Sequence, residues 1–183
     1  MDRDREQEII ERVRHGEQDA FAILVDAYKG AIFNLAFRMT GSYQDADDLA
    51  QETFFRAFRN LRHYDSQKSF FTWIYTISLN LVRNHLKKQG RRSSGNAADG
   101  IVAEAGVKNS AGLEGTLIQA QEISHLDICL QKLPMDLREL IVLRFYQELS
   151  FEDIAMISGA SLSAVKMRVY RGLERLKHLM EES

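Results

Sequence analysis

The sequence predicts an all-α protein with two small helical domains, at 1–89 and 116–183, joined by a flexible linker at 90–115. Large apolar residues recur at helical spacing on both sides of the linker, and neither strand alternation nor an Asn-Gly hairpin signal occurs. The 183 residues include a single proline, which suits long helices. The linker holds six of the eleven glycines and has no apolar stripe.

The first domain is predicted to hold four helices, at about 4–15, 19–41, 44–61 and 69–89. Gly16 and Gly41 follow the first two helices, as C-terminal glycines do, and Asp19 is a candidate N-cap for the second. The third helix has apolar residues at clean helical spacing. The fourth is predicted to turn one apolar stripe inward: Phe70, Ile74, Ile77 and Leu81.

Four further helices are predicted after the linker, at about 116–132, 134–146, 150–158 and 162–180. Pro134 suits the first turn of a helix, and Ser150 with Asp153 forms a capping pair. Gly159 can take the left-handed conformation of a tight turn. The last helix is expected to face inward with one set of residues: Leu162, Val165, Val169, Leu173 and Leu176.

Several classes of protein are disfavoured. The longest apolar run, Ala20 to Val25, has six residues, and the N-terminus is charged, so no membrane span or signal peptide is expected. A single cysteine forms no internal disulfide and suits a reducing cytoplasm. No phosphate-binding loop, GxSxG or HExxH motif occurs, so we expect neither an enzyme nor a cofactor. His125 and Cys129 could be two metal ligands on one helix face, but a buried cysteine beside an exposed histidine is favoured.

The last two predicted helices have the pattern of a helix-turn-helix. Ala155 is a small residue for the helix crossing, Gly159 allows the turn, and Val165 anchors the second helix. The alternative is a helical hairpin with a solvated cationic face. The outward face of the last helix carries mainly short hydroxyl and basic side chains, which favour duplex DNA. Its residues are Ser163, Lys166, Met167, Arg168, Arg171 and Arg175. Met167 is an apolar exception that suits contact with a thymine methyl group.

Two other helix faces suggest partners. Opposite its apolar stripe, the third helix presents Phe55 among polar residues, which is typical of a protein–protein contact, although one exposed phenylalanine is also common. The fourth helix places Trp73 beside Thr72, Thr76 and Asn80 and continues into cations, which suits single-stranded nucleic acid. Core packing is the more frequent role of a lone tryptophan.

The chain resembles the extracytoplasmic-function sigma factors of bacterial RNA polymerase, most nearly the envelope-stress sigma-E type. DADDLAQETFFRAFRNL and FFTWIYTISLNLVRNHL resemble their region 2, and the segment from LPMDLRELIVLRFY through the last helix resembles region 4. The resemblance covers nearly the whole chain outside the linker. It implies a factor without catalysis that directs core RNA polymerase to promoters of a stress or envelope regulon.

The resemblance also implies roles for individual residues. The face expected to bind the β′ clamp helices comprises Asp48, Gln51, Glu52, Phe55 and Arg59. The residues expected to read and open the −10 element are His63, Tyr64, Lys68, Thr72, Trp73, Thr76, Asn80, Arg83 and Lys87. The residues expected to read the −35 element are Ser161, Ser163, Lys166, Met167, Arg168, Arg171 and Arg175.

The expected partners are core RNA polymerase (the β′ clamp helices and the β flap), promoter DNA and an anti-sigma factor. The chain is expected to be a cytoplasmic monomer when free, and an anti-sigma factor could hold it at the inner membrane face. If promoter contact occurs only after docking on the polymerase, as the resemblance implies, the chain alone need not bind DNA tightly, which agrees with its net charge of −2. We therefore predict weak promoter binding by the chain alone, with a steep salt dependence. The alternatives are a stand-alone helix-turn-helix regulator, which would dimerise on palindromic DNA, and a helical interaction protein that binds no DNA.

Overall fold

A computed structural model describes residues 1–95 and 125–182, with side chains for 1–91 and 125–182. These residues form helices and connecting turns, and no strand occurs among them. The helices are α1 Arg3–Arg14, α2 Phe21–Thr40, α3 Tyr43–Asn60, α4 Phe70–Gly95, α5 His125–Gln131, α6 Met135–Ile141, α7 Phe151–Ser158 and α8 Leu162–Glu181. Helix α4 continues to Gly95, past its predicted end, and the remainder of the predicted linker lies outside the described residues.

Most helix ends follow from local chemistry. Gly41 ends α2 and Gly159 ends α7, both at positive φ, which glycine adopts without steric cost. Ser150 and Ser161 cap α7 and α8 by accepting hydrogen bonds from backbone N–H groups. The predicted cap at Asp19 is wrong, because Asp19 lies in the 3-10 turn Gln18–Ala20 and α2 begins without a side-chain cap.

Helix α2 lies at the centre of the N-terminal helices and contacts α1, α3 and α4. Leu24, Ile32, Leu35 and Met39 are fully buried along it. The segment Gln18–Thr40 is long and apolar enough to cross a membrane by length and composition. Its apolar residues are used here in the core, because helices of both halves of the chain pack against α2.

The C-terminal helices form the predicted helix-turn-helix. Ala155 is half-buried, Gly159 makes the turn at φ +69°, and Val165 is fully buried. Gly172 lets α8 approach α6 closely, since a Cβ there would lie 3.1 Å from Cγ1 of Ile141. The expectation that Leu162 faces inward is wrong. Leu162 is 37 % exposed, because it occupies the first position of α8, beyond the neighbouring helices.

The two halves of the chain pack against each other. The Tyr75 hydroxyl donates to Oε1 of Gln147 at 2.7 Å, and Arg138 donates to the Met39 carbonyl at 2.6 Å. Helix α4 is therefore buried on a second side, where Leu79 and Val82 are inaccessible. The single inward stripe expected for α4 describes only part of its buried surface.

Candidate polymerase and nucleic-acid interfaces

The exposed face of α3 presents the residues expected to bind polymerase. Phe55 is 54 % exposed, and the Arg59 guanidinium carbon lies 5.5 Å from its ring centroid. Nearby, Arg56 Nε donates to Glu52 Oε1 at 2.6 Å. The other members of this face, Asp48 and Gln51, are exposed. A large ring held in solvent among ordered charges has the composition of a protein-binding site.

The turn from Leu61 to Ser69 carries the next group of expected residues. His63 and Lys68 are exposed, as expected for contact with nucleic acid. Tyr64 does not face solvent as a residue that contacts nucleic acid would. Only 4 % of it is exposed, and its ring packs on Phe70 and Trp73. Burial raises the pKa of its hydroxyl, which donates to the Lys68 carbonyl at 2.5 Å. Tyr64 therefore supports the turn and presents no free ring to a base.

Helix α4 places a polar strip beside this turn. Thr72, Trp73 and Thr76 are half-buried, whereas Asn80 and Lys87 are exposed. The Trp73 ring lies 5.1 Å from that of Tyr64 and 5.6 Å from that of Phe70, measured between centroids. One side of Trp73 therefore packs on the core, and the rest of it is exposed. The threonine hydroxyls are not presented as expected, because the Thr72 hydroxyl oxygen is inaccessible and the Thr76 hydroxyl donates to the Thr72 carbonyl at 2.7 Å.

Arg83 departs from the expectation of a DNA-facing cation. Its guanidinium donates two hydrogen bonds to Glu139 of α6, from Nε to Oε2 at 2.8 Å and from Nη2 to Oε1 at 2.5 Å. These bonds raise the pKa of Arg83. Glu139 is only 5 % exposed, and its carboxylate forms this ion pair across the two halves of the chain. In this arrangement Arg83 is not presented to DNA.

Helix α8 presents the predicted −35 residues together. All seven are exposed. The hydroxyl groups of Ser161 and Ser163 lie 3.3 Å apart at the helix start, and the Lys166 ammonium lies 5.7 Å from the centroid of the Phe151 ring. An exposed helix with hydroxyl groups at its N-terminus and arginines along it can contact base edges and phosphates in a major groove.

The structure also shows contacts that the sequence pattern did not indicate. Three side chains of α1 donate hydrogen bonds to backbone carbonyls of the turn after α3: Arg3 to Gln67, Gln7 to Ser66, and Arg14 to Leu61 and Tyr64. Nothing in their local pattern distinguishes them from an ordinary solvated face, because their acceptors are distant in sequence.

His125 and Cys129 have the arrangement that the sequence favours, an exposed histidine beside a buried cysteine. The Cys129 sulfur is buried, lies 3.8 Å from His125 Nε2 and donates to the Leu179 carbonyl at 3.6 Å. Among the side chains described, those of residues 1–91 and 125–182, no three histidine, cysteine or carboxylate groups come together in a way that could hold a metal ion.

Comparison with family models gives two matches in chain order. Residues 24–92 match sigma-70 region 2, and residues 126–176 match sigma-70 region 4. The first range contains the exposed face of α3 and the strip on α4, and the second contains the helix-turn-helix.

Curated relatives match over nearly their whole length. The chain is 33 % identical to the ECF RNA polymerase sigma factor SigW of Bacillus subtilis over 178 residues, covering 94 % of this chain and 95 % of the relative. It is 33 % identical to the ECF RNA polymerase sigma-E factor of Escherichia coli, covering 96 % and 94 %. Identity to the RNA polymerase sigma-H factor of Pseudomonas aeruginosa is 30 %, covering 99 % and 96 %.

Two solved structures share the fold. CnrH, determined in complex with the cytosolic domain of CnrY, is 25 % identical with a TM-score of 0.69, covering 100 % of this chain and 99 % of that one. The sigma factor RpoE of Bartonella quintana, determined with the anti-sigma factor NepR, has a TM-score of 0.69 at 24 % identity, covering 88 % and 96 %. From the paired region matches and the near full-length relatives, the chain belongs to the extracytoplasmic-function family of RNA polymerase sigma factors.

Proposed function

We propose that this chain joins core RNA polymerase, recognises the −35 and −10 elements of a promoter and helps to melt the DNA at the start site. It performs no catalysis itself, and the polymerase makes the transcript. One observation carries the proposal: a chain matching both sigma-70 regions exposes two faces of different chemistry, the Phe55 face of α3 and the basic face of α8. One face suits a protein and the other suits duplex DNA.

The proposed sites divide the work between two domains, 1–89 and 116–183, with 90–115 between them. Docking on the β′ clamp helices uses the exposed α3 face around Phe55, and the β flap is the proposed partner of the second domain. The −35 element is read by seven exposed residues at the N-cap of α8 and along it: Ser161, Ser163, Lys166, Met167, Arg168, Arg171 and Arg175. The −10 element is read by His63, Lys68, Asn80, Lys87 and the half-buried strip of Thr72, Trp73 and Thr76. Tyr64 contributes by packing, and Arg83 becomes available only when Glu139 releases it.

Control by an anti-sigma factor is part of the proposal. It is supported by the likeness to CnrH, which was determined with the cytosolic domain of CnrY. The same likeness supports a cytoplasmic location, because CnrH was determined with the cytosolic domain of CnrY. A role in a stress or envelope regulon is proposed from the sequence resemblance.

The test compares DNA retention by the chain alone, by core polymerase alone and by the two together, on genomic fragments at about 0.1 M salt. We expect a defined set of fragments to be enriched only when the chain and core polymerase are both present. The free chain has a net charge of −2, which gives it little general attraction for DNA. If the chain alone enriches a palindromic set, it is a stand-alone regulator. If none of the three enriches any fragment, the protein acts without DNA.

A further inference from the structure

Helix α1 lies before the residues that match sigma-70 region 2, and the proposed function gives it no task. Its apolar residues Ile9, Ile10 and Val13 are buried in the core, so the helix is firmly seated. Arg3, Gln7 and Arg14 lie within about 40° of one another around the helix at ~100° per residue. This second face turns toward the turn between α3 and α4, which holds His63 and Lys68.

The hydrogen bonds from this face are directed at the backbone of the turn. Arg3 Nη2 donates to the Gln67 carbonyl at 2.8 Å, and Gln7 Nε2 donates to the Ser66 carbonyl at 2.6 Å. Arg14 donates to the Leu61 carbonyl at 3.2 and 3.3 Å and also to the Tyr64 carbonyl.

Two further carbonyls of the turn accept hydrogen bonds from groups within it. Asp65 accepts from the Lys68 backbone N–H at 3.0 Å, and Lys68 accepts from the Tyr64 hydroxyl at 2.5 Å. Every carbonyl from 64 to 68 therefore accepts a hydrogen bond, and three of the five bonds come from α1. These bonds restrict the backbone of the turn, while the side chains of His63, Gln67 and Lys68 stay exposed.

We propose that α1 fixes the conformation of the turn at 61–69 and that Arg14, Gln7 and Arg3 are positioning residues for reading the −10 element. The inference rests on the proposed function, because it assigns the turn to promoter DNA. A turn that reads bases must hold its side chains to a fraction of an ångström, and rigid support from the rear supplies this. None of the three α1 side chains needs to touch DNA.

The test replaces Arg14 with alanine and uses Arg12→Ala as the matched control. Arg12 is on the same helix and carries the same charge, but its guanidinium pairs with Glu17 at 2.5 Å and not with the turn. Transcription is measured from a promoter with its preferred −10 element and from versions with single base changes, at a constant −35 element. We expect Arg14→Ala to lower the ratio between preferred and altered elements by about tenfold, whereas Arg12→Ala preserves the ratio.

A second measurement reports on the turn without DNA. Trp73 is the only tryptophan of the chain, and its ring contacts Tyr64, whose carbonyl Arg14 holds. We expect its fluorescence in Arg14→Ala to shift to longer wavelength and to become more accessible to acrylamide. Gln7→Ala should produce a smaller change, and Arg14→Lys, which keeps a cationic donor, should restore part of both signals.

The outcomes separate this inference from the proposed function. If the unaltered chain directs no promoter-specific transcription, the proposed function fails, and the fluorescence still tests whether α1 holds the turn. If the unaltered chain does so, and Arg14→Ala and Gln7→Ala match Arg12→Ala in selectivity and emission, the positioning role is refuted. A fall in activity equal at every −10 sequence, with normal selectivity, would also refute it.

Discussion

At the scale of single residues, the best indication of function is a large apolar side chain that is exposed although the core does not need it. Phe55 occupies a helix whose opposite side already supplies the core residues Leu49, Phe54 and Ala57. Folding therefore gives no reason for a large ring at this position, and docking does.

Phe55→Ala tests this interpretation. Because the ring is 54 % exposed, its loss should leave the melting temperature nearly unchanged and weaken binding to core polymerase at least about tenfold. Titration of labelled chain with core polymerase measures the affinity. Asn60→Ala, an exposed position elsewhere on α3, should bind normally. Equal affinity of Phe55→Ala and the unaltered chain would remove Phe55 from the interface.

The buried carboxyl group of Glu6 should make the stability of the protein depend on pH. The side chain is 6 % exposed and contacts the Tyr28 hydroxyl, and burial raises the pKa of its carboxyl group above the ordinary value. The folded state thus holds the proton more tightly than the unfolded state. The free energy of unfolding should therefore fall as pH rises from the unfolded pKa through the folded pKa.

Glu6→Gln should remove this dependence. Urea unfolding followed by Trp73 fluorescence between about pH 4 and pH 8 measures it. The stability of Glu6→Gln relative to the unaltered chain should increase toward neutral pH, and Glu8→Gln, exposed on the same helix, should show no such trend. A difference between Glu6→Gln and the unaltered chain that is constant with pH would contradict this prediction.

At the scale of the element, helix α8 separates folding from recognition by its two faces. Val165, Val169 and Leu176 are buried, and the cations lie on the exposed side. Changes to the exposed side should therefore alter DNA binding without altering the fold.

Arg168→Ala and Arg171→Ala should each reduce transcription that depends on the −35 element. An arginine that binds a DNA phosphate should, when replaced by alanine, also lower the slope of log affinity against log salt by about one. Filter binding of the assembled polymerase across a salt series gives this slope. Lys177→Ala is the matched control, because Lys177 lies near the end of α8 and pairs with Glu181 at 3.7 Å. An unchanged slope in both arginine variants would show that these side chains are only solvated.

The sequence predicts the described elements well where the cause is local. The helix-turn-helix follows from Ala155, Gly159 and Val165, and Ser150 caps α7 as its pairing with Asp153 indicates. It predicts poorly where the cause is distant. Tyr64 is buried by rings of α4, and Arg83 is held by a carboxylate 56 positions away, which no local periodicity reveals. The support of the turn by α1 escapes the sequence for the same reason.

At the scale of the whole molecule, the contact between the two halves opposes contact of Arg83 with the −10 element. Arg83 and Glu139 form an ion pair in which the side chains are only 23 % and 7 % exposed. Contact of Arg83 with a promoter requires this pair to break. We call this arrangement of the two halves closed, because its ion pair keeps Arg83 away from DNA.

Glu139→Gln should weaken the closed arrangement. It removes the charge that Arg83 pairs with, and loss of one partner of a largely buried pair costs about 1–3 kcal/mol after allowance for the exposed part of Arg83. Small-angle X-ray scattering should show a larger radius of gyration. Glu152→Gln, exposed on α7, should leave it unchanged. Identical scattering from Glu139→Gln and the unaltered chain would show that the other contacts maintain the closed arrangement alone.

We propose above that this chain directs core RNA polymerase to its promoters. The most direct measurement is transcription by purified core polymerase, with and without the chain, with the 5′ ends of the transcripts mapped. We predict transcripts that depend on the chain and start at defined sites downstream of shared −35 and −10 sequences. Start sites that are the same in both reactions, obtained with a folded and polymerase-bound chain, would contradict the claim.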